Sequence, residues 1–200
     1  HYLFGIDNGI EKETNKAWIV RENDDMSNPT PYKDYPNPDA ESISFYLTKG
    51  APKVGGLTTT KSSNQGKETL VDNYSFTGEI LARAENTNHR VLYVTPKFSQ
   101  DVHISGVPRI TVKLSQNHSS IRKGEPLVNG KFYEVSFDLM PDDQIIKKGQ
   151  QIGLMIFSSD KEYTLHPEPG TELTIDLDGT ILTLPIVGGL DAFSNAVKEN

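Results

Sequence analysis

The feature that most limits how this chain can fold is alternation at a period of two. In "KFYEVSFDLM" (131–140), Tyr133, Val135, Phe137 and Leu139 point one way while Glu134, Ser136 and Asp138 point the other. Such a pattern over seven residues describes a half-buried strand with one wet face. "SISFYLT" (42–48) alternates in the same way, and "HRVLYVTP" (89–96) adds another short strand. "DVHISGVPRITVKLS" (101–115) is broken by Gly106 and Pro108, which separates two strands. "QQIGLMIFSS" (150–159) is apolar on both faces and predicts a central strand. "TELTIDLDGTILTLPIV" (171–187) alternates on both sides of Asp178-Gly179, a pair suited to the tight turn of a hairpin. Helical spacing occurs only in the tail "LDAFSNAVKEN", where Leu190, Phe193 and Val197 recur three to four apart. Short strands with turn signals about every ten residues, and no helices between them, predict an all-β fold: an antiparallel β-sandwich of jelly-roll, galactose-binding-like topology.

Three segments follow. Residues 1–40 are irregular: "WIVREND" (18–24) is one strand, and four prolines between Pro29 and Pro38 mark an extended surface loop or linker. Residues 41–189 form the sandwich, and 190–200 a short C-terminal tail or helix. The polar stretch within "GGLTTTKSSNQGKE" is a long loop, and Thr58–Gly66 is a candidate segment for reaching a neighbouring pocket. The absence of an initiating Met and of a signal sequence at His1 suggests a fragment of something longer.

Charge narrows the partners. The 200 residues carry 27 Asp plus Glu against 20 Lys plus Arg, a formal charge of −7, and the one dense basic pair is Lys147-Lys148 beside a turn. A phosphate backbone would be repelled by that balance, so no nucleic acid partner is expected. Mean hydropathy is −0.49 and no run approaches the ~20 apolar residues of a membrane span. With no cysteine there is neither a disulfide frame nor a thiolate metal site, which favours the cytoplasm mildly.

The densest concentration of reactive side chains is "FSSDKEYTLHPEPG" (157–170), with Ser158, Ser159, Asp160 and His166 close in sequence. Nucleophilic catalysis needs the serine within hydrogen-bond reach of a base that a third group orients. Ser159 and His166 are seven positions apart, roughly 20 Å in an extended chain, and the turn "HPEPG" follows the histidine instead of separating the two. No G-x-S-x-G elbow occurs anywhere. The serines therefore read as partners for local backbone, and no catalytic residue is assigned. His1, His89, His103, His118 and His166 are scattered singly, without metal-ligand spacing; His103, between Val102 and Ile104, reads as a solvent-side strand residue. "DLDG" (176–179) lacks the remaining oxygen ligands of a calcium loop, and "ENDD" (22–25) has weak cation potential, so no metal or cofactor is expected. Asn73-Tyr74-Ser75 and Asn117-His118-Ser119 match the N-glycosylation acceptor pattern. The single Trp18 is poor support for a sugar-binding platform, the alternative reading of an independent carbohydrate- or ligand-binding sandwich.

Two runs, "HRVLYVTPKFSQDVHISGVPRITVKLS" and "KFYEVSFDLMPDDQIIKKGQQIGLMIFSSDKEYTLHPEPGTELTIDLDGTILTLPIVGG", together resemble the C-terminal β-sandwich of the X-Pro dipeptidyl-peptidase and cocaine-esterase-like (CocE/NonD) serine hydrolases, over about residues 85–189. "HYLFGIDNGIEK" is similar to the segment leaving that family's catalytic domain. The resemblance implies a non-catalytic module whose partner is an upstream α/β-hydrolase domain carrying the Ser-Asp-His triad, with a homo-oligomer as a further possibility. No triad residue carries over. One departure stands out: after "ITVKLS" relatives continue with a further hydrophobic strand, whereas here Ser115 runs straight into Gln116. Either a strand pair has been lost or intervening residues are missing; loss would open a sheet edge, which favours the second.

Overall fold

The computed structural model describes residues 5, 7, 9, 12–22, 24–116, 128–159, 161 and 170–198. Twelve strands and two short helices follow one another: β1 (Ala17–Ile19), β2 (Thr30–Tyr32), β3 (Ala40–Thr48), β4 (Val54–Thr58), β5 (Lys67–Val71), α1 (Gly78–Arg83), β6 (Val91–Val94), β7 (Val102–Gly106), β8 (Arg109–Gln116), β9 (Tyr133–Asp138), β10 (Asp142–Ile146), β11 (Gly153–Ile156), β12 (Glu172–Val187) and α2 (Gly189–Val197). Strands β1 and β2 pair by themselves; the other ten join one curled sheet along the path β10-β7-β12-β3-β4-β6-β11, with β5 and β8 on β12 and β9 on β8. The all-β sandwich expectation holds. The pairing is antiparallel except between β4 and β6, which run parallel.

The long strand β12 organises the sheet. Its first half, Glu172–Asp176, lies between β5 and β8; its second half, from Ile181, lies between β3 and β8. The register with β8 shifts between Asp176 and Ile181, so Asp178-Gly179 forms an irregularity that bends one strand. This corrects the hairpin expected from the sequence. The Asp178 carboxylate reaches away from its own strand. It accepts the backbone N–H groups of Gln65 and Gly66, at 3.1 and 3.2 Å, which fixes the base of the Thr58–Gly66 loop. Gly179 is needed because a Cβ there would lie 2.5 Å from the Lys113 stem.

Both faces of "QQIGLMIFSS" are apolar, yet β11 ends the path and pairs only with β6 among the described residues. Helix α1 lies beside its second apolar face: a Cβ placed on Gly78 at the start of that helix would come within 3.5 Å of Phe157 and 3.9 Å of Met155. Helix α1 and strands β4, β5 and β10 were not expected from the sequence, and β2 places Pro31 inside the loop predicted to be unpaired.

The core runs from Ile43 to Ala196 and is built from alternate residues of β3, β6, β8 and β12, with Phe45, Val91, Tyr93, Ile175 and Ile186 fully buried. Helix α2 closes one end. Phe193 meets Phe45 and Phe98 edge-on, with ring centroids 4.9 and 5.8 Å apart. Two buried ionic side chains are satisfied without an opposite charge. Arg90 donates to the carbonyls of Leu81 and Ala84 at the end of α1, and to Pro52 and Lys53. Glu68 accepts the Tyr93 hydroxyl at 2.6 Å and the N–H groups of Gly50 and Ala51. Burial and then that carboxylate both push the Tyr93 phenol far up.

Candidate functional site

A polar constellation around Asp143 joins the N-terminal segment to the sandwich. In the β10–β7 register Asp143 lies opposite Ser105, and His103 is two residues away on the same face. Arg21 follows β1 and Tyr32 ends β2, so the two-stranded sheet delivers both side chains to the same carboxylate. Asp143 Oδ2 accepts from Ser105 Oγ at 2.5 Å. Oδ1 accepts from Arg21 Nε at 3.0 Å and from the Tyr32 hydroxyl at 3.1 Å, with His103 Nε2 at 3.0 Å. Arg21 also donates to Tyr32 at 2.9 Å, and the Glu22 N–H reaches the Asp143 carbonyl. Only 2% of the Asp143 side chain is exposed. Burial pushes its carboxyl upward, but the hydrogen bonds from Ser105, His103 and Tyr32 outweigh that and hold it below the ordinary range. For Tyr32 burial wins, and its phenol is raised.

A serine, a histidine and an aspartate thus meet, but not in catalytic order. A nucleophile needs its proton taken by an imidazole that the carboxylate orients. Here serine and histidine each bind the carboxylate directly, so Ser105 donates to an acid that keeps it protonated. The arrangement is a clamp. His103, expected to face solvent, is a half-buried member of it; that is a correction, and its cause is the docking of Tyr32 over β7. Arg21 and Asp143 were not singled out from the sequence, since 122 positions separate them.

Above the clamp lies a groove of about 650 Å³ lined by Trp18, Val20, Met26, Tyr35, Pro141 and neighbouring residues. Trp18 is 60% exposed and Met26 81%; Met140, beside Pro141, is 86% exposed.

The serines of the 157–170 stretch sit elsewhere. Ser158 Oγ donates to Asp72 Oδ1, while Asp72 Oδ2 and Ser159 Oγ are buried without a hydrogen-bond partner among the described residues. Here too a serine meets a carboxylate with no ring between them. Asp160, His166 and the Asn117-His118-Ser119 triplet lie outside the described residues. Asn73 uses its side-chain oxygen to accept the Ser75 N–H. The acids of "DLDG" are committed to the fold: Asp176 pairs with Lys113 at 2.8 Å, and Asp178 holds the loop base. Lys147 pairs with Asp101 at 3.0 Å. Among the described residues no three His, Asp or Glu side chains gather as metal ligands, and no helix is long and apolar enough to cross a membrane.

The described residues thus form a β-sandwich with a polar clamp and, above it, a groove. Comparison with known proteins gives the family. The model for the X-Pro dipeptidyl-peptidase C-terminal non-catalytic domain matches residues 8–121 and 114–189, and the chain belongs to that family. A protein of Rhodopirellula baltica designated an Xaa-Pro dipeptidyl-peptidase is 48% identical over 226 positions, covering 94% of this chain and 36% of the relative. A Bacillus anthracis protein of the same designation is 28% identical over 221, again covering 94% and 36%. The chain therefore spans little more than a third of these relatives. Among solved structures, an aminopeptidase from a marine sediment Thaumarchaeota archaeon superposes with a TM-score of 0.62 at 12% identity, covering 81% of this chain and 39% of that one. An α-amino acid ester hydrolase gives 0.55 at 13%, covering 72% and 36%. At these identities the structures support the fold alone.

Proposed function

We propose that this module braces the catalytic α/β-hydrolase domain of a serine hydrolase, and that the groove lined by Trp18, Met26 and Pro141 is where that domain packs. The observation that carries the reading is the pairing of a groove that exposes Trp18 and Met26, with Arg21, Glu22, Asp24 and Asp142 also in its lining, with a buried clamp directly beneath it. Arg21, Tyr32 and Asp143 fix the β1–β2 sheet to the sandwich, so its apolar residues are presented on a rigid support. Residues before 41 then act as the link from the upstream domain. The whole enzyme would release X-Pro dipeptides from peptide N termini, or hydrolyse a related ester or amide, using a triad on that other domain. The names of the relatives and the matching family support this reading.

The test is complementation. The isolated 200-residue chain should not hydrolyse Ala-Pro-p-nitroanilide. Fused to the hydrolase domain of the Rhodopirellula baltica relative, it should raise that domain's thermal stability, and Trp18→Ala with Met26→Ala should remove most of the gain. Turnover by the isolated chain, or a fusion indifferent to both substitutions, would overturn the proposal.

A further inference from the structure

The polar bonds from the two-stranded sheet β1–β2 to the sandwich converge on one residue. Arg21 Nε and the Tyr32 hydroxyl donate to the Asp143 carboxylate, and the Glu22 N–H donates to the Asp143 carbonyl. No residue of β1 or β2 is itself buried, so the attachment rests more on these bonds than on apolar packing. The chain is anchored again at Asn37, which is buried; its side chain accepts the Asp39 N–H and its carbonyl accepts the Ala40 N–H. Between Tyr32 and that anchor, Lys33 and Asp34 are exposed. The sheet therefore has a fixed point after it, an exposed connection to that point, and a latch.

Charge decides when the latch holds. Arg21 Nε and His103 Nε2 each lie 3.0 Å from the same oxygen, Asp143 Oδ1. The ionised carboxylate attracts both. Once it takes up a proton, the guanidinium and the imidazolium formed in acid repel each other across a neutral group. The other titratable groups on this face are Glu22 and Asp24 after β1, Tyr35 after β2 and Asp142 on β10, all in the lining of the groove with Arg21. Protonating those three carboxylates removes negative charge near Arg21, which acts in the same direction. The Asp143 carboxyl is held below its ordinary range, so the latch holds above about pH 3.9 and gives way as the pH falls through the lower folded value.

We infer that β1–β2 is a strap that swings off the sandwich as one unit, ahead of global unfolding, and that the Asp143 carboxylate is its latch. Such sub-global opening is drawn from elements with few buried contacts, as this sheet is. The groove is built jointly, by Trp18 and Met26 from the strap and by Pro141 and Asp142 from the sandwich, so opening takes it apart. If, as proposed above, the groove receives the hydrolase domain, acid removes that docking face before it unfolds the module.

The sequence holds a single tryptophan, and Trp18 lies on β1, so its emission reports the strap, while far-UV circular dichroism reports mainly the ten-stranded sheet. The 200-residue chain is acidified from about pH 7 to about pH 2, the span in which carboxyl groups titrate. Trp18 emission should reach its unfolded value at a higher pH than the one at which the dichroism is lost. Tyr32→Phe removes one bond of the latch from the strap side. It should raise the Trp18 midpoint by about half a pH unit. The dichroism midpoint should stay where it was, because the sandwich then unfolds from a state whose strap is already open. At neutral pH, hydrogen-exchange protection of the β1–β2 amides should be about tenfold or more below that of β12 and should not respond to low urea, as a local opening exposes little surface. Coincident Trp18 and dichroism transitions, or β1–β2 amides with the urea dependence of β12, would make the sheet part of one folding unit and overturn the inference. A Trp18 midpoint unmoved by Tyr32→Phe would overturn the latch. The chain alone, without a hydrolase domain, gives all of these readings, so they stand or fall apart from the docking proposed above.

Discussion

Asp143 accepts hydrogen bonds from three segments far apart in the chain: Arg21 and Tyr32 at the N terminus, and His103 and Ser105 on β7. Its carboxyl is held below the ordinary range, so the folded state binds a proton there less readily than the unfolded chain does. The contribution is fully present above the unfolded value of about 3.9 and is lost as pH falls through the lower folded value. Asp143→Asn should cost about 2 kcal/mol near neutral pH, because Arg21 and His103 lose their charged acceptor. It should also flatten the acid side of the stability curve. Urea denaturation at a series of pH values between about 6 and about 3 checks both; a variant that keeps the wild-type acid slope would place the sensitivity elsewhere.

Among the secondary-structure elements, α2 gives the sharpest test. A nine-residue helix is too short to persist in water unaided, so its order depends on Phe193 meeting Phe45 and Phe98. Phe193→Ala should cost about 3–5 kcal/mol and release the helix, read as lost amide protection over residues 189–197. Helical spacing alone found α2, because its apolar positions follow a period that no strand shares. Alternation found β3, β8, β9 and the two halves of β12. It missed β4, "VGGLT", and β5, "KETLV", because glycine removes side chains from one pattern and Lys67, Glu68 and Thr69 hide the other. Glu68 is buried only because the Tyr93 hydroxyl and the N–H groups of Gly50 and Ala51 receive it, and none of these is a sequence neighbour. Asp178-Gly179 misled for a related reason. The pair carries a turn signal, but the bonds that decide its conformation come from Gln65 and Gly66. The clamp was illegible on the same ground: its parts converge only after β7, β10 and the N-terminal sheet have docked.

Across the described residues, β1 and β2 form a sheet of their own, while the ten-stranded sheet begins at Ala40. Among the described residues, the buried apolar core lies between Ile43 and Ala196. Deleting residues 1–36 should therefore leave one cooperative unfolding transition, lowered by about 1–3 kcal/mol for the lost partners of Asp143. Calorimetry checks this; a broad or absent transition would show that the first segment belongs to the folding unit.

Strand β12 also constrains how the module comes into being. Val187 pairs with Ala40 and Ile181 with Tyr46, so the last strand of the sheet completes contacts with the first one laid down in it. During synthesis, β3, β5 and β8 must wait for their shared neighbour until residues 172–187 have left the ribosome. Closure over such sequence distances is slow, on the order of milliseconds to seconds. A nascent chain halted before residue 172 would leave β3, β5 and β8 each without their shared neighbour.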